Sequence, residues 1–331
     1  MKVILPVAGK GTRLRPHTHT RAKSLVQVAG KTVLEHIVSR LLPLDPTEVV
    51  FITDENGGQI RAVMDREFPQ LNCTYLQQKE KLGPAHAISL AAGRVVSGDD
   101  LLIVFNDTIF ITDVQQIASL SMDCDGLVFS KEVEDYQRFG VNIVRNGFIT
   151  DMVEKPDQPV SKLAQVGLYY LRDGLDFMGS LQKCIDDGET VKGEYYLPPV
   201  FMRMIRAGKK LRAPEIDAWL DCGTPETLLS TNRYLLGGRS HTHGTVIDSV
   251  LIEPVHIGYG ATVRNCILGP HVSIASECVV EQSIISDSII NTGANVQSVI
   301  LSSSILGDSV TLAGASRKMN IGDNSLIDIG G

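Results

Sequence analysis

Val3, Ile4, Leu5 and Val7 open the chain as an almost unbroken apolar run, the pattern of a strand buried on both faces. Val33, Leu34, Ile37, Val38 and Leu41 then recur at helical spacing, and Pro43 and Pro46 end that element. The same alternation continues, with strands predicted over 48–53, 73–76 and 101–105 and helices over 58–68 and 83–95. Strand and helix in turn predict a mostly parallel sheet covered on both faces. From Gly126 the pattern changes to shorter strands, over 127–133, 141–145, 148–153 and 163–171. This reads as a more antiparallel region laid across the sheet, followed by helices over 174–186 and 195–207 and a strand over 217–221.

Gly237-Gly238-Arg239-Ser240 marks the predicted boundary, giving domains of 1–236 and 237–331. Past it Tyr259 is the only aromatic, and single aliphatics recur about every six residues at Ile257, Val263, Leu268, Ile274, Val279, Ile285, Ile290 and Val296. Small or polar residues fill the gaps. This hexapeptide repeat predicts a parallel β-helix with one short strand per face.

At 331 residues the chain can bury a large core, and a charged fraction of 21% fits a folded protein. The net charge of -7 excludes nucleic acid as a main partner, since no basic excess exists to release counterions. No run of some twenty apolar residues predicts a membrane span, and the start lacks a signal-peptide pattern, so a cytoplasmic protein is expected. Six scattered cysteines without a C-x-x-C pair suit reduced thiols rather than disulfides or zinc. The His17/His19 and His241/His243 pairs read as exposed loop histidines.

Candidate chemistry begins where the first strand meets Ala8-Gly9-Lys10-Gly11-Thr12-Arg13-Leu14-Arg15-Pro16. The two glycines let backbone N–H groups approach an anion, and Arg13 adds a planar fork of donors suited to phosphate. The ATPase phosphate loop is excluded because Thr12 and Arg13 follow Gly11, and the dinucleotide fingerprint because Leu14 stands where its third glycine belongs. Asp107 lies just past a central strand, either facing the ligand crevice or capping the next segment. Lys155 precedes a proline that restrains its backbone, and pairs with Glu154 in either a phosphate-binding or a solvated loop. Asp221 is a second strand-terminal acid, ahead of a helix start at Thr224-Pro225.

Taken in order, Ala8–Pro16, Gly83-Pro84-Ala85-His86-Ala87, Asp107, Arg138-Phe139-Gly140, Glu154-Lys155-Pro156, Val166-Gly167-Leu168-Tyr169 and Trp219-Leu220-Asp221-Cys222-Gly223-Thr224 resemble the sugar-1-phosphate nucleotidylyltransferases. The resemblance is closest to long-form glucose-1-phosphate thymidylyltransferases, and residues 320–325 also look like the ending of that form. It implies a Rossmann-like mixed-sheet α/β nucleotidyltransferase domain followed by a left-handed parallel β-helix. It also implies roles by position. Ala8, Gly9, Lys10, Gly11, Thr12, Arg13 and Lys23 would hold the nucleoside triphosphate, with Gln78 and Gly83 reading the base. Asp107 and Asp221 would bind Mg²⁺; Gly140, Glu154, Lys155, Gln165 and Gly167 would hold the sugar phosphate. Arg13, Lys155, Asp107 and Asp221 are the expected catalytic set. Three departures from the family pattern are Ala22-Lys23-Ser24 for Pro-Lys-Pro, Asn106 where glycine is common, and Pro198-Pro199 for a more polar run.

The implied reaction is transfer of a nucleotidyl group from a triphosphate, expected to be dTTP, to a sugar 1-phosphate, expected to be glucose 1-phosphate. UTP dependence is the alternative. A silent relative that senses nucleotide sugars is the non-enzyme alternative. Hexapeptide β-helices also occur in acyltransferases, which would make His256 and His271 candidate bases. The expected assembly is a homo-oligomer, a trimer formed through the β-helix.

Overall fold

The computed structural model describes residues 1–9 and 11–314, so Lys10 and residues 320–325 lie outside the described residues. Contacts divide the chain into two compact units, Met1–Thr231 and Asn232–Gly331.

The first unit contains strands β1 (Lys2–Pro6), β2 (Glu48–Thr53), β3 (Cys73–Gln77), β4 (Leu101–Val104), β5 (Thr108–Ile111), β6 (Gly126–Glu132), β7 (Gly140–Arg145), β8 (Phe148–Glu154), β9 (Leu163–Leu171), β10 (Leu211–Arg212) and β11 (Ala218–Asp221). Its main helices are α1 (Val33–Leu41), α2 (Gly57–Glu67), α3 (Pro84–Ser89), α4 (Gly174–Asp186), α5 (Leu197–Arg206) and α6 (Pro225–Leu236), the last reaching into the second unit. The main sheet runs β8-β7-β9-β4-β1-β2-β3, with β6 on the other edge of β9 and β10 beside β6. β1 pairs in parallel with β2 and β4, and β2 with β3. The second half of the sheet is antiparallel except for the β10–β6 pair.

Local chemistry sets these elements. In α1, Thr32 accepts from the Glu35 N–H at 3.1 Å and Glu35 accepts from the Thr32 N–H at 2.7 Å, a reciprocal cap. The five aliphatics read at helical spacing are its buried face. The helix expected over 83–95 stops at Ser89 and continues as a 3₁₀ turn over Ala92–Arg94. Gly93 weakens continuation there, and the Arg94 Nε donates to Glu48 at 2.9 Å. α5 starts at Leu197 rather than Tyr195 because Pro198 lies in its first turn, where no N–H is needed. The strand β5 had no sequence signal; it pairs antiparallel with β11 in a separate two-stranded ribbon.

In the second unit the strands form three parallel sheets, two of five strands and one of four, stacked coil on coil as a left-handed β-helix. Thr245, Thr262, Val279, Asn295 and Thr311 stand one above another, as do Val250, Ile267, Ile284 and Ile300. The expected inward aliphatics are buried with one correction: Val279 is 39% exposed and Val280 fills the core. A strict step of six from Ile274 lands on Val280, and a strand turns the next side chain outward. Corners fall on residues with left-handed backbone, such as Asp248, Asn265, Gln282 and Ser298 in successive coils. The Asn232 amide donates to the His271 carbonyl at 3.1 Å and Ser273 donates to the Asn232 Oδ1 at 2.7 Å, which ties Asn232 to the third rung of one of those sheets. His243 is exposed and stacks on Tyr259 at 4.5 Å; half-buried His256 lies 6.1 Å from His243, its pKa lowered to about 4 chiefly by burial. All six cysteines are free, five of them buried.

Candidate active site

The loop after β1 is shaped by a short approach. Gly11 has φ +57, and a Cβ there would lie 3.0 Å from the Thr18 methyl and 3.1 Å from the Lys23 Cβ. The Thr18 hydroxyl donates to the Gly11 carbonyl at 2.7 Å and closes the turn. A 3₁₀ turn over Thr12–Leu14 buries Leu14 and leaves Arg13 at the wall of a cavity of about 800 Å³.

The two aspartates meet through the β5–β11 ribbon. Thr108, next to Asp107, pairs directly with Asp221, and the Cys222 N–H donates to the Asp107 carbonyl at 3.1 Å. Asp221 Oδ1 accepts the Gly223 N–H at 2.8 Å, which orients that carboxylate. Lys23 Nζ lies 3.7 Å from Asp107 Oδ2. Both acids line the large cavity together with Gly11, Arg13 and Lys23. Burial pushes the neighbouring Cys222 thiol up to about 12, so it stays neutral.

That cavity opens where the sheet forks. Along one edge of β9, Ala164 pairs with Val141 of β7, whereas Leu168–Leu171 pair with β4. Gln165, Val166 and Gly167 lie between the two neighbours and line the opening. Gly167 has φ +80, and a Cβ there would come 2.9 Å from that of Phe105. Gly140 lies opposite Glu154 in the β7–β8 pair, where a Cβ would meet the Glu154 carboxylate at 2.8 Å. Behind this wall runs a buried polar chain. Gln165 donates to Asn142 Oδ1 at 2.9 Å, Asn142 donates to Ser130 at 2.9 Å, and Tyr169 donates to Gln165 at 3.4 Å. Such a chain fixes the Gln165 amide before any ligand arrives.

Glu154 and Lys155 are no solvated loop pair. The Glu154 side chain is only 10% exposed, with Lys155 Nζ 3.6 Å away. Burial raises the Glu154 pKa above its ordinary value, and Lys155 offsets part of that rise. Burial also works against the Lys155 charge, but the Tyr196 hydroxyl at 3.0 Å and Glu154 more than offset it, leaving the lysine pKa raised. The Lys155 backbone is left-handed, φ +47, rather than extended as a residue before proline normally is. Its N–H donates to the Phe139 carbonyl at 3.0 Å, which holds the turn.

A second cavity of about 360 Å³ adjoins the first, sharing Gly9, Pro84, Phe105 and Asp107 in its walls. Ala8, Gln78 and Gly83 lie here. Gly83 has φ +111, and a Cβ would press within 2.7 Å of the Tyr195 backbone, so glycine is also required by packing. Every described residue of the expected site therefore lines one of two joined cavities.

Four contributors carried no sequence signal. Tyr196 packs its ring under the Lys155 ammonium at 4.6 Å. Lys81 donates to the Ala8 carbonyl at 3.0 Å and reaches Asp54 at 3.5 Å. Asn142 and Ser130 complete the buried chain. Trp219, named from the sequence only as part of a motif, also lines the large cavity and packs on Phe139 at 4.7 Å.

No group of three or more His, Cys, Asp or Glu side chains able to hold a metal occurs among the described residues. The Asp107–Asp221 pair nevertheless fits Mg²⁺, which takes one or two carboxylates and fills its remaining positions with phosphate and water.

Residues 2–237 match the pattern described as "Nucleotidyl transferase", and residues 234–317 that described as "GlmU-like, C-terminal hexapeptide". A glucose-1-phosphate thymidylyltransferase of Streptomyces griseus is 28% identical over 99% of this chain and 99% of its own. A UTP–glucose-1-phosphate uridylyltransferase of Haloferax volcanii is 30% identical over 68% of this chain and 93% of its own. A Bacillus anthracis crystal structure assigned as a glucose-1-phosphate thymidylyltransferase superposes with a TM-score of 0.62 at 25% identity, covering 73% of this chain and 98% of that one. Among the described residues no helix is long and apolar enough to cross a membrane.

Proposed function

Because this chain belongs to the nucleotidyl transferase family, we propose that it moves a nucleotidyl group from dTTP to glucose 1-phosphate, releasing pyrophosphate. The observation that carries this reading is the Asp107–Asp221 pair at the wall of a cavity also lined by Arg13 and Lys155. Residues 1–236 would be the catalytic part and 237–331 the β-helix. The smaller cavity, with Gln78 and Gly83, takes the nucleoside; the fork of the sheet, with Gly140, Glu154, Lys155, Gln165 and Gly167, takes the sugar phosphate.

In the transfer a sugar-phosphate oxygen bonds to the α-phosphorus as the bond to the bridging oxygen breaks, and pyrophosphate leaves with the electron pair. The attacking phosphate is already ionised, so the chain need supply no general base. Mg²⁺, held by Asp107 and Asp221, would neutralise charge on the triphosphate. Arg13, Lys23 and the glycine loop bind the phosphates, while Lys155 holds the attacking phosphate in line. Glu154 and the fixed Gln165 amide orient sugar hydroxyls.

Pyrophosphate release from a panel of triphosphates and sugar 1-phosphates tests the proposal. Turnover with dTTP and glucose 1-phosphate is expected. Preference for UTP, the substrate named for the Haloferax relative, would move the base assignment, since thymine and uracil differ by one methyl group worth about 1–3 kcal/mol. Silence across the panel would favour a sensor.

The buried carboxyl of Glu154 adds a pH dependence. Its raised pKa means the folded state holds the proton more tightly, so its stability contribution is present at low pH and fades as pH rises through that pKa. Activity runs the opposite way, because the ionised form accepts hydrogen bonds from two hydroxyls. We expect an acidic limb in kcat/KM for the sugar phosphate above the ordinary glutamate value of 4.5, and Glu154→Gln should remove it. An unchanged limb in that variant would assign the titration to the substrate phosphate instead.

The β-helix supports a homo-oligomer, read here as a trimer. Val250, Ile267, Ile284 and Ile300 form an aligned aliphatic column at 58%, 41%, 45% and 80% exposure. Light scattering should find Ile284→Glu/Ile300→Glu monomeric and still folded; a monomeric native chain at micromolar concentration would end this reading. The six free cysteines favour a reducing, cytoplasmic setting.

A further inference from the structure

Strands β1 and β3 run out into the wall of the smaller cavity, with β2 between them in the sheet. One side chain ties together the loops that follow all three. Lys81, after β3, donates to the Ala8 carbonyl after β1 at 3.0 Å and lies 3.5 Å from Asp54 Oδ2 after β2. Asp54 is held in turn, because its Oδ1 accepts the Asn56 N–H at 2.9 Å and its side chain is 14% exposed. Beneath this tie the Val7 N–H donates to the Ile52 carbonyl and the Gln78 N–H to the Thr53 carbonyl, both at 2.8 Å. The Lys81 ammonium thus has two acceptors before any ligand arrives. Stability does not account for it, since a pair in which the lysine is 39% exposed is worth little.

The consequence falls on the next residue of the glycine loop. A trans peptide is planar, so the Ala8 C=O and the Gly9 N–H share one plane and point in opposite directions. Fixing the carbonyl toward Lys81 therefore fixes the N–H away from it. Gly9 is exposed, lines both cavities, and among the described residues its N–H has no acceptor. Lys81 and Ala8 line the smaller cavity alone. Glycine offers little resistance to rotation of the peptide before it, and nothing lies within 4 Å of where a Gly9 Cβ would stand. Without the tie that peptide can turn over and present its carbonyl oxygen, which repels an anion, in place of its N–H.

We propose that Lys81, anchored by Asp54, is a positioning residue for the triphosphate: by holding the Ala8 carbonyl it keeps the Gly9 N–H aimed at a phosphate oxygen. The inference rests on the proposed nucleotidyl transfer, with the triphosphate at the glycine loop. Lys81 itself touches no substrate and acts through the backbone.

Lys81→Met, Lys81→Arg and Asp54→Asn are compared with wild type by pyrophosphate release, alongside thermal melting. The probes are glucose 1-phosphate and either dTTP or UTP, whichever wild type prefers, each varied in turn. Lys81→Met should raise KM for the triphosphate about 5- to 30-fold, with kcat within about 3-fold and KM for the sugar phosphate unchanged. Lys81→Arg keeps the charge and the donors, so it should recover most of that loss. Asp54→Asn separates a tether from a direct phosphate contact. Removing an acid near a bound anion by itself favours the anion, so only loss of the anchor gives the rise in KM expected here, about 2- to 5-fold. A KM at or below the wild-type value in Asp54→Asn overturns the proposal, because the lysine would then meet the phosphate itself. So does a Lys81→Met loss that arginine leaves unrecovered, or one that spreads to the sugar phosphate with a lowered melting temperature, as a structural lysine would give. Wild-type turnover with Lys81→Met unchanged removes this inference alone. A wild type that turned over no triphosphate would take the nucleotide reading with it.

Discussion

Asp107→Asn should cut kcat by about 10²–10³-fold with Mg²⁺ present, and Asp221→Asn should do the same, while both proteins stay folded. The amide keeps the shape of the carboxylate but loses the charge that a divalent ion needs. Little stability is at stake. Among the described residues the one ion pair Asp107 makes is with Lys23 at 3.7 Å, and the Asp107 side chain is 52% exposed, so its loss is worth about 0–1 kcal/mol. Asp221 uses one oxygen to accept the Gly223 N–H at 2.8 Å, a bond an asparagine carbonyl can still accept. The double variant should fall no further than either single one, because the two acids act as a unit. Steady-state kinetics with Mg²⁺ titration checks this. Wild-type turnover in both single variants would remove the metal assignment.

Lys155→Gly should lose about 10- to 100-fold in kcat/KM for the sugar phosphate, from the loss of a charged hydrogen bond. The same change should leave thermal stability level or raise it. Lys155 is held at φ +47, a conformation that costs a residue with a Cβ about 1 kcal/mol and costs glycine little. Against that gain stands the contact with Tyr196 and the buried Glu154, and loss of the lysine there is offset because that carboxyl, its pKa already raised by burial, can take up a proton. A side chain kept where glycine would fit better is the mark of a position held for function. If Lys155→Gly were destabilised and fully active, the lysine would be structural and the phosphate assignment wrong.

How much of this was legible beforehand differs by element. The buried face of α1 and the hexapeptide period are local patterns, so Val33 to Leu41 and the coils from Ile257 to Val296 could be read directly. The exceptions were also local in origin but finer than a period, as where Val280 replaces Val279 in the β-helix core. β5 could not be read at all. Thr108–Ile111 follows a strand without a turn signal, and only its pairing with β11 makes it an element.

The sequence by itself determined the layered α/β and β-helix plan, the glycine loop, and the presence of acids at two strand ends, because periodicity and turn chemistry act over a few residues. The tertiary structure alone decided that Asp107 and Asp221 come to neighbouring strand ends in the wall of one cavity, since that depends on which distant strands share hydrogen bonds. It also decided that Glu154 lies buried rather than solvated, and that β9 changes neighbours to open a cavity at Gln165–Gly167. Pairing and burial depend on the whole packed chain, and a local period says nothing about either.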